Sequence, residues 1–151
     1  NAYNMAIDMD SKLINAWCGR ASAYEGMGRK RRALKANEEA LKIDSENIDA
    51  WKQKARLLQD INQLDEAIKA YEKVIMQNPQ DPDSFVSKAL VFQQYTVGNF
   101  KGSVDTYEKA LDTIGNKNSF RKLLVFLGFA YSDMSDLEGS GIWYKKAIEC
   151  F

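Results

Sequence analysis

Apolar and small residues recur along this chain three, four and seven positions apart, the spacing of one face of a helix. Between Asn15 and Met27 they are Ala16, Trp17, Ala21, Ala23, Tyr24 and Met27, with Trp17 and Tyr24 two turns apart on one stripe. Gly28 stops that helix. A second helix is predicted from about Lys30 to Ile43, on Ala33, Leu34, Ala36, Ala40, Leu41 and Ile43, before the turn Asp44-Ser45-Glu46-Asn47. The plan then repeats. Asp49 to Ile61 carries Ala50, Trp51, Ala55, Leu57, Leu58 and Ile61, Asn62-Gln63 turns, and Asp65 to Gln77 carries Ala67, Ile68, Tyr71, Val74 and Ile75. Pro79 cannot continue the hydrogen-bond ladder and closes the segment.

Asp81-Pro82 opens a third segment, with Asp81 as N-cap and Pro82 at the first helical position. Its first helix holds Phe85, Ala89, Leu90, Val91, Phe92 and Tyr95, and its second Val104, Tyr107, Ala110 and Leu111, with turns at Gly98-Asn99 and at Gly115 to Asn118. Phe120 to Met134 is the most apolar helix, and Ser135 with Glu138 reads as a capping box for a last helix through Trp143 and Ile148. At the other end Ala2, Tyr3, Ala6, Ile7 and Met9 have the spacing of a helix whose beginning is missing. Because the chain begins with Asn1 rather than Met, it is expected to be a piece of a longer protein. No alternating run bounded by hairpin turns predicts a strand.

Trp17, Trp51 and Phe85 stand at intervals of 34 residues. A period of that length marks stacked supersecondary units. The positions that recur are Trp17, Ala21, Tyr24, Ala33 and Ala40; then Trp51, Ala55, Leu58, Ala67, Tyr71, Val74 and Pro79; then Phe85, Ala89, Phe92, Ser103, Tyr107 and Ala110; then Leu124, Leu127-Gly128, Tyr131, Ser140, Tyr144 and Ala147. This pattern resembles the tetratricopeptide repeat family over essentially the whole chain. The resemblance implies an all-α fold, a right-handed superhelical α-solenoid of antiparallel helix pairs. It implies one array over 1–151, with a partial repeat at 1–12 and repeats at 14–47, 48–81, 82–117 and 118–151. Ala21, Ala55, Ala89 and Gly128 are small where the two helices of a unit must approach closely. Two departures stand out. Asn37 replaces the usual aromatic, predicting looser packing, and Phe85 to Leu124 spans 39 residues, predicting longer first helices in the third and fourth units.

Charge narrows the partner class. Lys plus Arg and Asp plus Glu number 21 each, so bulk charge predicts neither a nucleic-acid nor a membrane partner. No apolar run reaches the length of a spanning helix. The chain has no histidine, which removes Ser-His and Cys-His catalysis and His metal ligands. Cys18 and Cys150 lack CxxC spacing and read as reduced thiols of a cytoplasmic protein. No phosphate-binding glycine loop, metal cluster or nucleophile with a base is present, so the reading is non-catalytic and without cofactor or metal.

Family members resembling this chain bind peptides on the concave face lined by the first helices. Periodicity places Cys18, Ser22 and Glu25 there, then Lys52, Arg56 and Gln59, then Val86, Ser87, Leu90 and Gln93, then Lys122, Val125, Phe126 and Phe129. The carboxylate clamp of chaperone-binding relatives is not reproduced. In its better alignment only Lys52 and Lys122 agree, leaving either a weaker basic contact to an acidic peptide or mere solvation of the face. Val86, Leu90, Val125, Phe126 and Phe129 form an apolar stretch with two readings, an anchor site for a partner or packing of the longer helices. The basic run Arg29-Lys30-Arg31-Arg32 either meets phosphate or is a solvated edge, and neutral overall charge favours the edge. The function expected is a protein-protein interaction scaffold that takes a peptide or helix in its groove. Two alternatives stay open: self-association through exposed array ends such as Trp143 and Ile148, and a regulatory array attached to an enzyme.

Overall fold

The computed structural model describes residues 2–95, 100–115 and 117–133, with positions 141 and 145. Within them lie eight helices: α1 (Ala2–Met9), α2 (Ile14–Gly26), α3 (Lys30–Ile43), α4 (Ile48–Asp60), α5 (Leu64–Gln77), α6 (Pro82–Tyr95), α7 (Phe100–Thr113) and α8 (Lys117–Asp133). The described residues contain no strand. The bounds of α2 to α6 follow the apolar periodicity to within about a residue. The predicted turn at Gly98-Asn99, the capping box at Ser135 and Glu138, and the last helix with Trp143 and Ile148 lie outside the described residues.

Local chemistry sets the helix ends. Gly28 adopts the left-handed conformation, with φ of 71°. That lets the Arg29 amide donate to the Tyr24 carbonyl (2.8 Å) and the Gly28 amide to that of Glu25 (2.9 Å), satisfying carbonyls that the helix leaves open. One period later Asn62 takes the same conformation, with φ of 62°, and Gln63 donates to Leu58 (2.9 Å). Helix α4 starts under the Asn47 side chain, which accepts from the Ala50 amide at 3.0 Å. Helix α6 starts at Pro82 under Asp81, whose carboxylate accepts from the Asp83 amide (3.3 Å) and the Ser84 hydroxyl (2.6 Å). Helix α8 begins at Lys117, not near Phe120. The segment 117–119, expected partly as turn, contributes an extra turn of helix and makes α8 17 residues long against 13 for α2 and α4.

The helices divide into two compact units, Asn1–Lys73 and Val74–Phe151, with the boundary inside α5. In the first unit Ala21, Ala33, Ala40 and Ala55 are wholly excluded from solvent, as is Leu57. Gly19 admits the Tyr3 ring of α1. A Cβ there would stand only 2.3 Å from a ring carbon. Each tryptophan fastens the loop before its helix: the indole N–H of Trp17 donates to the Ser11 carbonyl (2.9 Å), and that of Trp51 to the Ser45 carbonyl (2.7 Å). Asn37, where looser packing was expected, is completely buried, with its Oδ1 left without a hydrogen-bond partner. Its amide donates to Gln53 Oε1 (2.9 Å), and Gln53 donates in turn to the Ser22 hydroxyl (2.9 Å), a polar chain across α3, α4 and α2.

In the second unit Ile75, Phe85, Ala89, Tyr107, Leu123, Leu124 and Leu127 belong to one apolar core. Gly102 of α7 lets the Phe92 ring of α6 lie against its backbone, where a Cβ would meet ring atoms at 2.6 Å. Gln80 secures the end of α7, donating to the Thr113 carbonyl (2.9 Å) and accepting from the Gly115 amide (3.4 Å). Tyr131 of α8 donates to Glu108 of α7 at 2.8 Å.

Candidate functional site

The first-helix residues expected on a binding face fall into two different settings. In the first unit they are occupied with one another. Arg56 holds Glu25 through two parallel bonds, Nε to Oε1 at 3.1 Å and Nη2 to Oε2 at 3.0 Å. Ser22 takes the Gln53 amide, and Gln59 Oε1 accepts from the Tyr71 hydroxyl at 3.5 Å. Lys52 is half-buried and already has an interaction of its own. Cys18 carries a free thiol whose pKa is pushed up by burial and, to a smaller degree, by the negative charge of Asp49. This face is a network of satisfied polar groups. Its one guanidinium fork already grips a carboxylate of the same chain.

In the second unit the setting is apolar. Val86 is 8% exposed and belongs to the core. Val125 and Phe126 are partly buried against that core, and the Phe126 ring stacks on Tyr107 with centroids 6.0 Å apart and planes 11° from parallel. Leu90 on α6 and Phe129 on α8 keep 39% and 53% of their surface in water. These two helices touch. Lys122, at the start of this stretch, binds the Asp83 carboxylate at 2.7 Å. Tyr107 is wholly excluded from solvent; its buried hydroxyl makes no well-formed hydrogen bond, and desolvation raises its pKa to about 12, with only a partial offset from Ser103. The structure therefore brings Val86, Val125 and Phe126 to one core, while Leu90 and Phe129 on the same two helices stay exposed.

A family model for the tetratricopeptide repeat matches residues 16–85. That segment is a tetratricopeptide repeat array. The described residues on both sides of it keep the helical plan, and solved structures extend the fold to nearly all of the chain. A crystal structure of MamA is similar with a TM-score of 0.81 at 20% identity, covering 99% of this chain and 84% of that one. A double mutant, MamA RS-1 ArsTM, gives 0.79 at 18%, covering 98% and 80%. MamA 41-end from Desulfovibrio magneticus RS-1 gives 0.76 at 19%, covering 95% and 78%. At these identities the likeness shows the fold. No curated protein matches the chain. Tetratricopeptide repeats serve in general as protein-interaction scaffolds. No described helix is long and apolar enough to cross a membrane, and the described residues hold no cluster of three or more His, Cys, Asp and Glu suited to a metal.

The pairing among these first-helix residues was not foreseen from the sequence. Glu25 and Arg56 were both expected on it as separate charges. Their fork was signalled only by opposite charge in adjacent units. Gln80, Gly19 and Gly102 escaped notice because a lone glutamine or mid-helix glycine has no periodic signature; only the packed partner shows its use.

Proposed function

We propose that this chain is a non-catalytic scaffold of four repeats and a partial one that captures a peptide or short helix of a partner protein, with the anchor on α6 and α8. The observation that carries the reading is the exposure of Phe129 and Leu90 on the two helices that also hold the partly buried Val125 and Phe126. A buried Leu or Phe of the ligand would gain about 1.5–3 kcal/mol there by leaving water, on a surface already formed and therefore cheap to order. Lys52, Arg56 and Lys122 act as polar rim rather than anchors, because Arg56 and Lys122 already bind carboxylates of this chain and Lys52 has its own interaction. A cytoplasmic setting, where Cys18 stays reduced, belongs to the same reading.

Panning a random peptide library against the chain tests this. Selected peptides should share an apolar anchor and bind Leu90→Ser/Phe129→Ser at least tenfold more weakly. Equal binding by that variant, with its helicity intact, would remove the groove from consideration.

A further inference from the structure

Away from the groove, α2 and α3 enclose an open pocket of about 710 Å³ lined by Trp17, Arg20, Tyr24, Arg32, Lys35 and Glu38 among others. On α2 the stripe of Trp17, Arg20 and Tyr24 lies roughly 130° around the helix from that of Cys18, Ser22 and Glu25, at about 100° per residue. The Arg20 guanidinium stands between two rings, 5.2 Å from the Trp17 centroid and 5.5 Å from that of Tyr24. Its Nε is buried without a hydrogen-bond partner.

The repeat register shows which partner Arg20 lacks. One period on, Lys54 likewise lies over Trp51 (5.3 Å) and is paired with Glu38 of the preceding second helix at 3.6 Å. The same step back from Glu38 leads to Asn4 of α1. That register is sound, because Ile7, Leu41 and Ile75 are its buried equivalents. Lys54 meets a carboxylate; one period earlier, the register position of that carboxylate holds the amide residue Asn4. Arg32 and Lys35 have no carboxylate within ion-pair distance among the described residues, whereas the pocket's own acids are engaged, Glu38 by Lys54 and Glu39 by Lys42 (2.6 Å). Three uncompensated cations thus share one concavity. The Tyr24 hydroxyl senses Arg20 and Arg32 among them. Its pKa is lowered by the hydrogen bond from Arg20 and then by the charges of Arg20, Arg32 and Arg29.

We propose that this pocket is a second binding site, for an acidic peptide segment, and that an Asp or Glu carboxylate of the ligand takes the place on Arg20 that Glu38 takes on Lys54. Arg20 is the anchor, held in orientation by the two rings so that its fork is presented with little loss of side-chain freedom. Arg32 and Lys35 receive flanking carboxylates. Three cations within one concavity match a short acidic segment rather than the long, evenly charged backbone of a nucleic acid.

The test uses the 151-residue chain and three probes at low salt: a six-residue Asp/Glu peptide, its Asn/Gln counterpart, and an oligonucleotide of equal charge. Titration followed by the Trp17 indole N–H resonance should show binding of the acidic peptide alone, weakening as salt rises. Arg20→Leu should weaken it about tenfold, Arg32→Gln/Lys35→Gln severalfold. Asn4→Glu, which supplies the carboxylate within the chain, should also compete it away. Leu90→Ser/Phe129→Ser should leave it unchanged, which separates this site from the groove. Equal binding of the neutral peptide, tighter binding of the oligonucleotide, or indifference to both Arg20→Leu and the Arg32/Lys35 variant would each overturn the proposal. The α3 variant alters only exposed side chains, so a folding defect in Arg20→Leu would not obscure the outcome.

Discussion

Single positions in this chain carry distinct mechanical duties. Gly28 and Asn62 sit at equivalent places with φ of 71° and 62°. An L side chain resists that region by about 1–2 kcal/mol, so Gly28→Ala should lower stability by about that amount in urea unfolding. Asn62→Gly should raise it by a few tenths to ~1 kcal/mol. Trp17 and Trp51 recur at equivalent positions of the repeat, and each indole N–H is spent on a loop carbonyl. Trp51→Phe should cost about 1 kcal/mol, the ordinary net value of a hydrogen bond. Tyr107 supplies a pH signature. Its folded pKa of about 12 lies above the unfolded value near 10, so the folded state keeps the proton that the unfolded state loses. The associated stability is complete below pH 10 and declines as pH climbs from 10 through 12, by roughly 2–3 kcal/mol in all. A flat urea midpoint across that window would contradict the burial of the hydroxyl.

Between helices, contact depends on what is left out as much as on what is buried. Gly102 has space for a ring because it has no Cβ. Gly102→Ala should push Phe92 aside and cost about 1–3 kcal/mol by overpacking, visible as a lower melting temperature with helicity retained. Alanine favours helix, so a propensity argument alone predicts the opposite sign. The polar chain Asn37–Gln53–Ser22 works by the same logic of fit. Asn37 occupies the place held by Tyr71 and Tyr107 in the next two units, and its smaller volume admits an amide partner from α4. Asn37→Ala would strand Gln53, at about 1–3 kcal/mol for a polar group left unpaired in the interior.

Across the chain, repetition makes exceptions informative. Lys54 and Glu38 show what one unit does with the cation on its first helix, and one period earlier Arg20 has Asn4 at the register position of that carboxylate. The 13-residue first helices of the early units define a length that α8, with 17, exceeds. The two proposed binding sites lie where these regularities lapse. They should respond independently, the apolar one to Leu90→Ser/Phe129→Ser and the cationic one to Arg20→Leu, when both peptide classes are titrated into each variant.

Helix positions, the 34-residue beat and the small residues at Ala21, Ala55 and Ala89 were all legible from residue order, because periodicity and turn chemistry act over a few neighbouring positions. Charge balance and the missing histidines likewise needed no coordinates. Partnership did not follow from residue order. Val86, Leu90 and Phe129 are the same kind of residue in the chain, yet one lies in the core and two face water. Arg56 and Arg20 are both arginines on first helices, yet one is neutralised by Glu25 and the other lies between two rings without a carboxylate. Such differences arise from contacts between residues tens of positions apart, and packing alone selects which of many chemically plausible pairs will meet.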